Sequence, residues 1–201
     1  MIERQLFEGR LVRLAELNYE LDPQVESGWT ESGDYWVASG YQAPRPMSPE
    51  RVKKQYEALE KEIDEKKNSF YFTIRAKDSG RLVGFTRLNQ VEWTHGVANF
   101  SILIGVQDDR GKGYGSEALE LMLRYAFHEL NLHRLNAWVG EENPGAIRFL
   151  ERAGFCEEVR QRQRLYLDGR SWDYIQMGLL GSEWQPALET GVAAKHATDA
   201  D

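Results

Sequence analysis

A basic, glycine-rich loop holds the residues whose types and spacing point most clearly to chemistry. It runs from Gln107 to Gly115 and contains Gly111, Gly113 and Gly115. Glycine adopts backbone angles that other residues avoid and lets a ligand approach the main chain. The first amides of a helix lack intrahelical acceptors and lie at the positive end of the helix dipole, so they bind phosphate groups. We therefore predict an anion site at the amides of residues 111–116, strengthened by positive side chains at Arg110 and Lys112.

Other interpretations of this loop remain open at this point. Glycines also serve a tight turn from a strand to a helix, with the basic side chains simply solvated. A P-loop is a poor match, because it needs Ser or Thr after its lysine and Lys112 is followed by Gly113. A dinucleotide fingerprint would need a third glycine at Ser116 and a parallel βαβ unit, whereas hairpins precede this loop. A nucleotide-binding protein that uses the loop in another way stays possible.

Hydrophobic periodicity predicts the elements that hold the loop. Alternating apolar residues predict strands, a 3.6-residue repeat predicts helices, and Ser48-Pro49 and Asn143-Pro144 are typical helix starts. Between residues 18 and 49 we expect irregular chain with aromatic side chains. The predicted strands are residues 9–14, 70–76, 81–88, 97–106, 134–139, 156–167 and 171–179, and the predicted helices follow Ser48, the glycine loop and Asn143.

Composition places the chain among globular proteins of the reducing interior of the cell. The apolar fraction is 41% and the charged fraction is 28%, enough for a buried core. The net charge of −7 argues against a nucleic-acid-coating protein, whose surface would be basic. The single cysteine, Cys156, excludes an internal disulfide. No stretch is long and apolar enough for a membrane span or an export signal, and no metal-ligand motif is present. We therefore expect a cytoplasmic protein without a metal.

Two motifs and a hairpin resemble a known family. Arg110-x-x-Gly113-x-Gly115 after an apolar strand resembles the acyl-CoA-binding motif of the GNAT N-acetyltransferases. The segment from Asn143 to Phe155 is similar to the second signature of that family, an Asn-led helix that ends in Gly-Phe. The closing hairpin at Tyr166 resembles the branch that contains ribosomal-protein and spermidine acetyltransferases. The order of the elements also fits, from residue 9 to about residue 184.

The resemblance implies a fold and an activity. The fold would be α+β: one domain, residues 1–184, with a mixed, mostly antiparallel seven-stranded sheet that splays at its centre and helices on both faces. Residues 185–201 would be a disordered tail. The activity would be transfer of an acetyl group from acetyl-CoA to a primary amine, a small molecule or a protein N-terminus, by direct attack in a ternary complex. A homodimer is also implied.

The same resemblance implies which residues bind acetyl-CoA. The co-substrate would lie between the splayed strands 97–106 and 134–139, with its pyrophosphate on the loop amides and its pantetheine arm along a strand edge. Asn143 would contact it near the thiol, and its other role, as a helix cap, is compatible. The implied cofactor-binding residues are Ile104, Val106, Arg110, Gly111, Lys112, Gly113, Tyr114, Gly115, Ser116 and Asn143.

The positions that hold the general acid and base in members of the family carry other residue types in this chain. Leu150 stands where many members have a tyrosine acid, and Ala146 and Leu165 stand where the ribosomal-protein branch has a serine and a glutamate. Asn99 replaces a glutamate that relatives often carry early in the central strand. A non-catalytic acyl-CoA sensor therefore remains an alternative function.

Three other residues are candidates for proton transfer. Glu92, His95 and Tyr166 carry suitable groups and could face the cleft, although each could equally be an ordinary surface or sheet residue. Positioning alone could also carry the reaction, with solvent handling the protons. The sequence leaves the acceptor open among a polyamine, an aminoglycoside, an amino sugar and a peptide N-terminus.

Overall fold

The chain is built around one seven-stranded sheet. The computed structural model describes residues 5–40 and 43–186. The strand order is β1-β2-β3-β4-β5-β7-β6, and β4 with β5 is the parallel pair in it. This confirms the predicted mixed, mostly antiparallel sheet. Apart from its first two residues, the tail predicted from residue 185 lies outside the described residues. The strands are β1 (Val12–Ala15), β2 (Phe70–Ala76), β3 (Leu82–Glu92), β4 (Val97–Ile104), β5 (Arg134–Gly140), β6 (Cys156–Leu167) and β7 (Arg170–Leu180).

Helices pack on both faces of the sheet, as predicted. The α-helices are α1 (Asp22–Trp29), α2 (Gly33–Ala38), α3 (Pro49–Lys66), α4 (Tyr114–Arg124) and α5 (Pro144–Arg152). A 3₁₀ helix (Gln107–Asp109) precedes the glycine loop, and a π-helix (Tyr125–Glu129) continues α4. Helices α1, α2 and α3 share one apolar core with Phe85 and Leu103 of the sheet. Helices α4 and α5 belong to the larger core on the opposite face, with Leu88 and Phe100. Successive strand residues point to opposite faces, so β3 and β4 contribute to both cores.

The prediction of irregular chain between residues 18 and 49 is wrong, because this segment forms α1, α2 and the start of α3. The buried face of α1 includes Asp22 and Glu26, which a hydrophobic pattern does not mark as inward. They are buried because their partners arrive from distant elements. Asp22 accepts two hydrogen bonds from Arg75 of β2, at 2.9 and 2.7 Å. Helix formation here therefore depends on tertiary contacts that a local pattern cannot contain.

A second buried carboxylate joins the three helices on this face. Glu26 is 7% exposed and accepts hydrogen bonds from the hydroxyls of Tyr35 in α2 and Tyr56 in α3. Burial raises the pKa of Glu26, and the two tyrosine hydrogen bonds counteract that shift. Burial and the adjacent Glu26 charge also raise the pKa of Tyr35 and of Tyr56. A buried carboxylate is stable only when its oxygens are hydrogen-bonded. Because the donors come from α2 and α3, Glu26 connects these two helices to α1.

The parallel pair at the centre of the sheet is short. Pairing between β4 and β5 runs from Val97 opposite Arg134 to Asn99 opposite Asn136. Beyond that point β4 stays paired with β3, and β5 stays paired with β7. The facing edges of residues 100–104 and 137–140 therefore separate and keep unpaired backbone groups. This is the predicted splay of the sheet.

Helix α4 is fixed to the start of the sheet by the side chain of Glu117. Its carboxylate accepts hydrogen bonds from three successive amides, those of Arg10 at 2.8 Å, Leu11 at 2.6 Å and Val12 at 2.7 Å. No side chain fits at Gly9, because a Cβ there would overlap the Glu117 carboxylate. Glu117 lies in the first turn of α4, so this contact also positions the loop before the helix.

Replacing Glu117 with glutamine will destabilise the chain. Glu117→Gln keeps the shape but removes the charge that strengthens three hydrogen bonds, so we expect a loss of about 2 kcal/mol in the free energy of unfolding. Urea unfolding of purified protein measures this. Glu151→Gln, at an exposed position on α5, is the matched control and should change stability by less than about 0.5 kcal/mol. Equal stability of the two variants would contradict the proposed role of Glu117.

The buried tyrosines predict a loss of stability at high pH. Their folded-state pKa values are raised above the ordinary 10.0, so the unfolded chain releases these protons first as the pH rises. The contribution of these two tyrosines to the free energy of unfolding is complete below about pH 10. Above that pH it decreases by up to about 1.4 kcal/mol per pH unit for each tyrosine. Urea unfolding between about pH 9 and pH 11 should show Tyr56→Phe with a shallower decline than wild type. Tyr166→Phe, 74% exposed, should leave the slope unchanged, and equal slopes in all three proteins would contradict the idea.

Candidate functional site

A cavity of about 420 Å³ lies at the opening between β4 and β5. Strand residues 100–103 and 137–139 line its middle. Residues of α5 line it towards one face of the sheet, and residues of α1 and α2 line it towards the other. The cavity therefore reaches both faces through the gap in the sheet, which allows two reactants to meet from opposite sides. Its polar lining residues include Glu26, Tyr35, Tyr71, Arg87, Asn89, Asn99, Ser101, Asn143 and Tyr174.

The edge of β4 offers backbone donors to this opening. Gly105 donates its amide to the carbonyl of Val83 in β3, at 3.0 Å. Because the hydrogen-bonding direction alternates along an antiparallel strand, the amides of Ile104 and Ile102 point the other way, into the gap. No side chain fits at Gly105, because the Trp29 ring lies against its Cα. Trp29 thereby closes the α1 side of the strand end.

The glycine loop forms the predicted uncapped helix start. Gly111 and Gly113 have φ values of +75° and +91°, which favour glycine. Gly113 is the N-cap of α4, and no side chain caps this end. The first amides of α4 therefore point outward without an intrahelical acceptor. A Cβ at Gly115 would lie 3.6 Å from Phe149 and 3.7 Å from Ile104, so the loop, β4 and α5 converge here. The amides fit a diphosphate group.

The basic side chains of the loop already interact with acidic side chains of this chain. Asp109 is 3% exposed and binds Arg81 through two hydrogen bonds, at 2.6 and 2.7 Å. Lys112 donates to the same carboxylate at 3.3 Å, and Arg110 lies 3.9 Å from the carboxylate of Asp34. The Arg81 hydrogen bond holds the pKa of Asp109 below its ordinary value. Arg81 is one of the residues that sequence reasoning missed, because it lies 28 residues before Asp109 in the chain.

Asn143 lies at the cavity and caps α5. Its side chain accepts a hydrogen bond from the Ala146 amide at 3.0 Å. Leu150 and Ala146 also line the cavity, so two of the positions where relatives carry proton donors face it without one. Leu165 lies in β6 opposite Trp172 and is not among the lining residues.

The three candidates for proton transfer lie away from the cavity. Glu92 ends β3, and His95 follows it in the turn before β4, at the end of the sheet where β4 and β5 are still paired. Tyr166 lies on the β6–β7 hairpin and is 74% exposed. None of the three lines the 420 Å³ cavity. They remain predictions.

A different tyrosine does face the cavity. Tyr174 of β7 stacks on Trp138 of β5 with ring centroids 5.0 Å apart, and both line the opening. Burial raises the pKa of Tyr174, so the phenol stays protonated at neutral pH. Alternation along β7 could have marked Tyr174 as facing one side of the sheet, but only the pairing with β5 shows which side. Sequence reasoning missed it for that reason.

The described part of the chain shows neither a metal-binding group of side chains nor a membrane-spanning helix. Within residues 5–40 and 43–186, no group of three His, Cys, Asp or Glu side chains is arranged to hold a metal ion. In the same ranges, every helix is too short or too polar to cross a bilayer.

Comparison with known proteins gives consistent matches. The model of the acetyltransferase (GNAT) domain matches residues 13–156. A probable N-acetyltransferase of Bacillus subtilis, YjcK, is 32% identical over 153 residues, 75% of this chain and 76% of that protein. Spermidine N(1)-acetyltransferase of Vibrio cholerae is 33% identical over 103 residues, 51% of this chain and 59% of that protein.

Solved structures share the fold. Spermidine N-acetyltransferase from Vibrio cholerae in complex with CoA and spermine superposes with a TM-score of 0.72 at 24% identity, over 86% of this chain and 97% of that one. A dodecameric structure of spermidine N-acetyltransferase from the same organism gives a TM-score of 0.66 at 25% identity, over 86% and 95% of the two chains. With the splayed sheet and the uncapped glycine loop, the match over residues 13–156 establishes that the chain belongs to the GNAT family of acetyltransferases, which transfer the acetyl group of acetyl-CoA to amines.

Proposed function

We propose that the opening between β4 and β5 holds acetyl-CoA and that a primary amine attacks its thioester from the side of α1 and α2. One observation supports this most directly. The unpaired edge of β4 lines a cavity that reaches both faces of the sheet. The uncapped start of α4 lies beside it, because a Cβ at Gly115 would be 3.6 Å from Phe149, which lines that cavity. Acetyl-CoA supplies the activated acetyl group, and the residues of this chain bind and orient it.

The loop and the strand edge would share the binding of acetyl-CoA. The amides from Gly111 to Ser116 would donate to the diphosphate, because they are exposed donors at the positive end of a helix. The amides of Ile104 and Val106 would pair with the pantetheine arm, as a strand edge pairs with a peptide. A β4 amide beside the thioester would stabilise negative charge that develops on its carbonyl oxygen. Arg110, Lys112, Tyr114 and Asn143 would border this path.

Tyr174 is our candidate for the proton donor to the leaving thiolate. It lines the opening, and its raised pKa keeps the proton available at neutral pH. In the reaction a bond forms between the amine nitrogen and the acetyl carbon, while the carbon–sulfur bond breaks. The attacking nitrogen loses a proton to solvent, the sulfur gains one from Tyr174, and the Tyr174 phenolate then takes a proton back from solvent.

We further propose that the chain acts in the cytoplasm as a dimer, without a metal. The single cysteine suits a reducing compartment. The oligomeric Vibrio cholerae structure supports self-association.

A negative charge at the helix start tests the acetyl-CoA site without unfolding the protein. Ser116 is exposed in the first turn of α4, where an aspartate favours the helix but repels a diphosphate. We expect Ser116→Asp to keep wild-type thermal stability and to raise the dissociation constant for CoA by about tenfold or more. Isothermal titration calorimetry measures the affinity.

Ser182→Asp is the control for this experiment. It makes the same charge change at an exposed position after β7, near the start of β5 and at the other end of the sheet from the glycine loop, and should leave CoA affinity unchanged. Unchanged affinity in Ser116→Asp would place the diphosphate elsewhere. Binding of CoA without thiol release on a panel of amines would instead favour an acyl-CoA sensor.

Two tyrosine variants distinguish the candidates for the proton donor. If Tyr174 protonates the thiolate, Tyr174→Phe should lower kcat by about 100-fold or more with little change in the KM for acetyl-CoA. The decrease of kcat at high pH should also be absent in Tyr174→Phe. Thiol release followed by a chromogenic reagent measures both. A loss of the same kind in Tyr166→Phe, with normal activity in Tyr174→Phe, would assign the role to the exposed hairpin instead.

A further inference from the structure

The cavity wall on the side of α1 and α2 carries one acid and one base with very different surroundings. Glu26 and Arg87 are the lining residues with formal charge in the part of the chain that the structure describes. Both oxygens of Glu26 already accept hydrogen bonds from tyrosines. The Glu26 oxygens are therefore already engaged within the protein, whereas Arg87 still offers donors to a ligand.

Arg87 is oriented but not neutralised. It lies opposite Ser101 in the β3–β4 register, and its Nε donates to the Ser101 hydroxyl at 2.9 Å. No other hydrogen bond or ion pair of Arg87 occurs within residues 5–40 and 43–186. The acid that acts on it through space, Glu62, is already bound to Lys66 at 2.6 Å. Among the described residues the two Nη groups therefore have no partner, and they present two donors in a fixed fork, the geometry that binds a carboxylate.

An unsatisfied acceptor lies two residues further along the same strand and on the same face. Asn89 lines the cavity, and its Oδ1 atom is buried without a hydrogen-bond partner. A buried polar atom without a partner is costly, so a ligand that donates an N–H group to it would be favoured. The wall therefore presents two donors at Arg87 and one acceptor at Asn89.

The remaining surface of this wall is aromatic. Tyr71 stands opposite Arg87 in the β2–β3 register, and its ring lies 5.4 Å from that of Phe85. Trp138 and Tyr174 line the other side of the opening. This surface can hold an apolar or aromatic side chain. The positive charge of Arg87, and not the aromatic lining, disfavours a string of ammonium groups.

We propose that the acceptor is an amine that also carries a carboxylate, an amino acid with an apolar or aromatic side chain, and that Arg87 binds the carboxylate. The proposal rests on the proposed acetyl transfer and names the acceptor class of that same site. The amino group supplies the attacking nitrogen and an N–H for Asn89 Oδ1. A polyamine, the substrate in the names of several relatives, has no anion for Arg87 and would bring its cations beside it.

Matched pairs of acceptors test this directly. Phenylalanine and phenethylamine differ only in the carboxylate, as do tyrosine and tyramine, and spermidine serves as a third probe. Acetyl-CoA-dependent thiol release gives kcat/KM for each with the full-length wild-type protein. We expect each amino acid to exceed its decarboxylated partner by about tenfold or more, and to exceed spermidine.

Variants at Arg87 identify the group responsible. Arg87→Met keeps the aliphatic stem but removes the charge, so the ratio of kcat/KM within each pair should fall to near one. Arg87→Lys should restore part of the ratio, because it restores the charge without the fork. Arg170→Met, an exposed arginine on the distant hairpin, should keep the wild-type ratio. Thermal unfolding and CoA titration of every variant separate a folding defect from a change in acceptor choice.

The outcomes separate this inference from the proposed function. A wild-type preference for the decarboxylated amines or for spermidine would overturn the acceptor class and leave acetyl transfer intact. An equal loss for both members of each pair in Arg87→Met, with a raised KM for acetyl-CoA, would assign Arg87 to the co-substrate instead. Absence of thiol release with every amine would overturn the proposed function itself.

Discussion

The early end of the parallel pairing between β4 and β5 is the constraint on which the site depends. After Asn99 and Asn136 the two strands keep their outer partners and lose each other. A sheet that opens in this way leaves backbone donors and acceptors unpaired in its interior, which a folded protein tolerates only where a ligand or water can satisfy them. The same gap forms the middle of the 420 Å³ cavity. The part of the sheet that loses its strand pairing is therefore also the candidate active site.

Buried charges hold the walls of that gap. Asp22 with Arg75, and Glu26 with two tyrosines, bind α1–α3 to one face of the sheet. On the other side Asp109 binds Arg81 and so anchors the loop before α4. Each carboxylate is nearly inaccessible and would be costly without its partners. Such contacts are specific in geometry, so they place the glycine loop and the cavity wall on the side of α1 and α2 in a defined relation to the opening.

Side chains that look alike along the chain have different roles for the same reason. The sequence predicts that Lys112 strengthens the anion site, and in the structure its ammonium group shares Asp109 with Arg81. Arg87, a residue in a β-strand without any motif, retains its Nη donors in the cavity wall. Glu92, His95 and Tyr166 carry suitable groups but lie outside the lining, whereas Tyr174 lies within it. Whether a polar group is available depends on its partners, and these come from elements far away in the sequence.

The sequence by itself determined the elements whose cause is local. Alternation and helical repeats predicted all seven strands and the helices α3, α4 and α5, the Ser48 and Asn143 caps were correct, and the glycine spacing marked the uncapped helix start. Tertiary structure decided the rest: the formation of α1 and α2, the pairing of Arg110 and Lys112 with acidic side chains, and the set of residues that line the cavity. Local sequence patterns reflect the conformational preference of each residue and its near neighbours. The energy of a buried charge or of an exposed strand edge depends instead on contacts with residues that only folding brings close.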